Sequence, residues 1–115
     1  MPEVAQLILR VAPNIRVVLA TNATSRLPRD LDKLGLSSVF YAVANSSSIC
    51  AAKPDQEYFE AALALAGVGA ESALLIDDTP ENVWAAEAMG IQAHLFQSPA
   101  LMEQFLQQHH ALVTA

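Results

Sequence analysis

The sequence predicts an α/β domain: a parallel sheet with helices on both faces. Short apolar runs rich in β-branched residues recur at residues 16–20, 39–44, 73–76 and 91–96. Amphipathic helical patterns alternate with them. The connections between them are short and rich in Gly, Pro and small polar residues, as expected of successive strand–helix units.

Each element has its own signal. Residues 2–11 read as a helix, with Val4, Leu7, Ile8 and Val11 at helical spacing and Pro13-Asn14 as its stop. Residues 16–20 form a first strand, which runs into the polar turn Thr21-Asn22-Ala23-Thr24. Leu27, Leu31 and Leu34 mark a short helix stopped by Gly35. A second strand covers 39–44, and residues 45–48 read as a polar loop. Pro54 and Asp55 open a helix that carries Phe59, Ala62, Leu63 and Ala66 on one face and closes at Gly67 and Gly69. The third strand, 73–76, is followed by a helix over 80–89, with Thr79 as N-cap, Pro80 at the first position and Gly90 as the stop. A fourth strand covers 91–96. Ser98 and Pro99 then start the last helix, with Met102, Phe105 and Leu106 apolar. The tail from His109 reads as loose, Tyr58 and Trp84 as packing residues, and His94 as a partly exposed strand-end residue.

Composition narrows the function. The 115 residues suit one domain over 1–115 with a modest core, and 53% apolar content excludes a disordered composition. Twelve acidic against six basic residues give a net charge of −6, so the chain lacks the basic face that nucleic acid or an anionic membrane would need. No apolar run approaches the roughly 20 residues of a membrane span, and the N-terminus has no secretory pattern. Cys50 stands alone, which fits a reducing cytoplasm or a buried small residue. The expected location is cytoplasmic.

The most informative stretch is Leu74-Leu75-Ile76-Asp77-Asp78-Thr79-Pro80-Glu81-Asn82. A buried strand there ends in two adjacent carboxylates that oppose each other's ionisation. Carboxylates in such a place suit Mg²⁺, which takes one or two of them together with water and phosphate oxygens. The competing reading is a solvated loop whose acids favour the next helix N-terminus. In a parallel sheet, ligands sit beyond the carboxyl ends of the strands. The first strand delivers Thr21-Asn22 to that rim and the third delivers Asp77-Asp78, while Lys53 lies in the loop after the second.

Taken together, these residues resemble the haloacid dehalogenase superfamily, in the branch that contains many small phosphatases. Thr21-Asn22 looks like the family's second motif, Lys53-Pro54-Asp55 before Tyr58-Phe59 like its third, and residues 75–83 with Ala85-Ala86 and Met89-Gly90-Ile91 like its fourth. The resemblance runs from about Arg16 to Phe96. It implies a Rossmann-like three-layer core and a Mg²⁺-dependent phosphatase acting on a small phosphorylated molecule. By the same resemblance, Thr21 and the Asn22 backbone would hold a phosphoryl oxygen, and Lys53 would balance the charge of the nucleophile and transferring group. Asp77 and Asp78 would hold Mg²⁺, directly or through water, with Asn82 in support.

One departure stands out. The family's first motif, a strand ending in Asp-x-Asp that supplies the covalent nucleophile, has no match here. Asp30-Leu31-Asp32 has the spacing but lies in a helical pattern after Pro28-Arg29, so it is rejected as that motif. The cap that normally follows the first strand is also largely missing, and residues 2–11 resemble the helix that leads back from it. The chain therefore reads as the C-terminal part of a longer protein, incomplete relative to the family and of little activity alone. The missing strand would lie at the sheet's centre, so the strands before Thr21 and Asp77 either pair directly or leave a slot. A slot invites a homo-oligomer or a strand-donating partner. The alternatives weighed are a phosphate- or metal-binding remnant without turnover, or an interaction module, and a response-regulator receiver. The order Thr, Lys, then acids argues against the receiver.

Overall fold

The computed structural model describes residues 2–21 and 40–112, and within them helices alternate with parallel strands. The described elements are α1 (Pro2–Leu9), β1 (Val18–Thr21), β2 (Ala42–Asn45), α2 (Ser46–Ile49), α3 (Gln56–Ala66), β3 (Leu74–Asp77), α4 (Pro80–Ala88), β4 (Gln92–Leu95) and α5 (Pro99–Gln108). A single 3₁₀ turn, Ala70–Ser72, leads into β3. The predicted helix around Leu27 to Leu34, with Gly35, the Asp30-Leu31-Asp32 triplet and Asn22, lies outside the described residues.

The predicted single sheet is divided. β1 pairs in parallel with β2, Thr21 opposite Asn45, and β3 pairs in parallel with β4, Asp77 opposite Leu95. Among the described residues β1 and β3 do not pair. Of the two sequence expectations, direct pairing of β1 with β3 is not found among the described residues.

Helices cover both sides of these strand pairs. On one side Ala44, Tyr58, Phe59, Ala86 and Ile91 form a buried cluster that takes in Val18, Ala20 and Leu75. On the other, Leu7, Met102, Leu106 and Ala111 pack with Ile76 and Phe96. Leu75 and Ile76 are consecutive in β3, so their side chains alternate between the two clusters, as the pleat requires. Gly67 ends α3 with φ +75°, a left-handed conformation that costs glycine nothing. A Cβ there would also stand 2.6 Å from Arg16 Nη1, which donates to the Ala66 carbonyl at 2.7 Å.

Several local expectations need correction. Residues 45–48 are not a loop. Asn45 caps the short helix α2, its Oδ1 accepting from the Ser47 N–H at 3.0 Å and the Ser47 hydroxyl at 2.9 Å. Of the tail read as loose, the described residues 110–112 are docked: Ala111 is buried, the Ala12 N–H donates to its carbonyl at 2.9 Å, and Val11 bridges Leu112. That contact also explains why α1 stops at Leu9 instead of reaching Val11. Trp84 is 63% exposed, because Val83 and Ala86 take the inward positions of α4. Cys50 is exposed, not a buried core residue. Among the described residues no helix is long and apolar enough to cross a membrane.

Candidate functional site

The site is built where β1 and β3 end. Lys53 enters from the loop between α2 and α3, just before the cis peptide bond to Pro54. Its ammonium donates to the Ala20 carbonyl at 3.0 Å and to Asp77 Oδ2 at 2.7 Å. One cation thus touches both strand pairs at their carboxyl ends. The pair is nearly dry, with 10% of the Lys53 side chain and 6% of the Asp77 side chain exposed. Two ions so far from water cost desolvation energy, which their attraction repays only when the remaining oxygens are also satisfied.

The sequence after β3 provides that satisfaction. Asp77 Oδ1 accepts from the Thr79 N–H at 2.9 Å, an Asx turn that swings the chain into α4. Asn82 stands at the third helical position and reaches back, its Nδ2 lying 3.3 Å from each Asp77 oxygen. Asp77 thus satisfies the backbone N–H of the N-cap residue Thr79, the part that the N3 side chain plays in a capping box. Thr79 is the N-cap residue by backbone geometry, but its side chain caps no helix N–H. It donates instead to Asp78 Oδ1 at 3.3 Å.

Charge follows from these contacts. Burial pushes the Asp77 carboxyl up, but the Lys53 hydrogen bond, the Thr79 N–H, the Lys53 charge and the Asn82 amide together outweigh it and hold the group below the ordinary 3.8. Tyr58 is fully buried beneath the site, and its hydroxyl donates to the Ala44 carbonyl and, at 3.5 Å, to the Thr21 carbonyl. Its pKa is pushed up to about 12, chiefly by burial and further by the Asp77 charge.

Of the residues singled out by sequence, Lys53, Asp77 and Asn82 therefore meet in one hydrogen-bonded cluster. Thr21 is the last residue of β1, one position beyond the carbonyl that Lys53 binds. Asp78 does not join the cluster: it is exposed at the rim and engages Thr79. Asn22 lies outside the described residues. Sequence reasoning missed three participants. The Ala20 carbonyl and the Thr79 N–H are backbone groups that leave no letter of their own, although the Asp-x-Thr spacing of an Asx turn is readable. Tyr58 does pack, as expected, but its hydroxyl also ties the ends of β1 and β2 together.

Oxygen donors of this kind suit a hard cation. Among the described residues no group of three or more His, Cys, Asp or Glu side chains gathers at one point. The carboxylates at this rim are Asp77, bonded to Lys53, Thr79 and Asn82, and the exposed Asp78.

Comparison with known proteins bears on the family and the fold. A sequence model of haloacid dehalogenase-like hydrolases matches residues 1–90. The sequence matches none of the curated proteins. Among solved structures, an uncharacterised protein from Corynebacterium glutamicum is similar with a TM-score of 0.75 at 19% identity, over 87% of this chain and 74% of its own. A hydrolase from Streptococcus pneumoniae is similar at 28% identity with a TM-score of 0.69, over 80% of this chain and 48% of its own. A haloacid dehalogenase family enzyme from Bacteroides thetaiotaomicron was solved as an aspartate-to-alanine mutant with magnesium and inorganic phosphate. It has a TM-score of 0.75 at 22% identity, over 84% of this chain and 53% of its own. The chain thus spans about half the length of the latter two proteins.

Proposed function

This chain belongs to the haloacid dehalogenase-like hydrolases, and we propose that it carries the phosphate-handling half of a Mg²⁺-dependent phosphomonoesterase site for a small phosphorylated metabolite. The observation that carries the reading is the buried Lys53–Asp77 pair at the shared carboxyl end of β1 and β3. Phosphoryl transfer is mostly positioning and charge neutralisation, and these groups do both.

In this reading each residue has a task. The Thr21 hydroxyl and the Asn22 backbone N–H donate to a phosphoryl oxygen. Lys53 is fixed by its two oxygen partners and neutralises charge that develops during transfer. Asp77 holds Mg²⁺ with the exposed Asp78 beside it, and Asn82 orients Asp77 from the first turn of α4. Bound there, Mg²⁺ would polarise a phosphoryl oxygen and offset its negative charge. The fit rests on the donor chemistry: carboxylate oxygens at a rim, one of them preset by three hydrogen-bond donors. The Bacteroides enzyme, similar in fold, was solved with magnesium and inorganic phosphate, which supports reading ligands of this kind here.

Turnover by this chain alone is expected to be very low, because no Asp-x-Asp follows a strand among the described residues. The purified chain with Mg²⁺ should hydrolyse p-nitrophenyl phosphate no faster than buffer, yet bind inorganic phosphate in a manner lost in Lys53→Ala. Hydrolysis abolished by Asp77→Asn would overturn the first expectation. Phosphate binding indifferent to Lys53 would overturn the second.

A further inference from the structure

We propose that the groove between α3 and α4, edged by Trp84, is a docking site for a basic segment of a partner protein that carries an apolar anchor. This goes beyond the phosphatase reading and does not depend on it.

The sequence divides unevenly by charge. Residues 54–115 hold nine of the 12 acidic residues and none of the six Lys and Arg. Such an imbalance repels itself within one fold and attracts a partner of opposite charge. Two of these acids rim a single groove. An open hollow of about 440 Å³ is lined by Pro54, Gln56, Ala85, Ala88 and Met89, between the start of α3 and the second half of α4. Glu60 stands one turn after Gln56, and Glu81 one turn before Ala85, so each shares the helix face that lines the groove. Both acids are exposed, and neither forms a salt bridge with another described residue.

The groove itself is mostly apolar, with an aromatic side chain beside it. Trp84 is 63% exposed. It stands one turn before Ala88 and one turn after Glu81. A large aromatic left in water next to an apolar hollow has the character of an interface anchor. Its indole face attracts cations, and the neighbouring Glu81 and Glu87 add to that attraction. An Arg or Lys over Trp84, with an apolar side chain seated against Ala85, Ala88 and Met89, meets every feature of this surface. An acidic or wholly apolar segment would leave the carboxylates uncompensated. A second copy of the chain is a poorer match, because its described cations are engaged. Arg10 pairs with Glu103, Arg16 lies over the Tyr41 ring and donates to the Ala66 carbonyl, and Lys53 is bound to Asp77.

Trp84 is the only tryptophan, so its fluorescence reports docking without a label. The probe is the synthetic peptide acetyl-Arg-Leu-Arg-Arg-Leu-Arg-amide, added to the chain in low-salt buffer without metal or phosphate. We expect a saturable change in Trp84 emission. By calorimetry, Trp84→Ala and the double variant Glu60→Lys, Glu81→Lys should each bind about tenfold more weakly, while Glu3→Gln on α1 binds as wild type. All the substituted side chains are exposed, and circular dichroism checks that each variant is folded. Four results would overturn the proposal. They are no binding by wild type, an affinity that Trp84→Ala leaves unchanged, equal binding by acetyl-Arg-Ser-Arg-Arg-Ser-Arg-amide, which would be diffuse charge attraction alone, and self-association abolished by Trp84→Ala in the absence of peptide, which would make the occupant a second copy.

Discussion

At the scale of single residues, the Lys53–Asp77 pair controls the site. A buried ion pair contributes little net stability, but removing one member leaves an uncompensated charge and typically costs about 3–5 kcal/mol. Lys53→Met should therefore lower the unfolding free energy by an amount of that order in a urea titration. The double variant Lys53→Met, Asp77→Leu should recover much of it, because no charge then remains to desolvate. Proton linkage gives an independent check. The folded Asp77 carboxyl titrates below its ordinary 3.8, so its contribution is complete above that value and is lost as pH falls through the lower folded value. In metal-free buffer, wild type should lose stability below about pH 4 more steeply than the double variant. These residues were readable because each needs a special side chain. What could not be read was their partners: the Ala20 carbonyl and the Thr79 N–H belong to the backbone, which every residue has.

At the scale of elements, Tyr58 joins α3 to the ends of β1 and β2. Its hydroxyl bonds the Ala44 and Thr21 carbonyls, so the Tyr58→Phe variant should lose about 1–2 kcal/mol while keeping the ring's packing. The raised Tyr58 pKa adds a signature. A group whose folded value lies above its unfolded value stabilises below the unfolded value, so wild type should lose stability as pH climbs from about 10 towards 12, and Tyr58→Phe should not. The strands and longer helices were legible from apolar periodicity, Pro80, Pro99 and Gly67, all of which act locally. The short helix after Asn45 was not, because a polar Ser run carries no apolar stripe and its cap is recognised only once the Asn45 side chain is placed. The docked tail was missed for a similar reason: Ala111 is buried by a tertiary contact with the segment after α1, far away in sequence.

At the scale of the whole molecule, the described residues form two parallel strand pairs that share one buried cluster and are bridged at their carboxyl ends by the Lys53 ammonium. The alternation of strands and helices predicted the layers, and the resemblance predicted the order of the site residues. The split between β1 and β3 was one of two expectations, since hydropathy tells that a strand is buried but not which strand lies beside it. The central claim is that Thr21, Lys53 and Asp77 share one cation- and phosphate-binding edge. It is tested most directly by titrating Mg²⁺ into the labelled chain in the presence of inorganic phosphate, following backbone amide shifts by NMR, for wild type and Asp77→Asn. The account predicts saturable shifts concentrated at Thr21, Lys53 and Asp77 to Thr79 in wild type, and none in Asp77→Asn. Shifts that leave those residues unmoved, or that persist unchanged in Asp77→Asn, would contradict it.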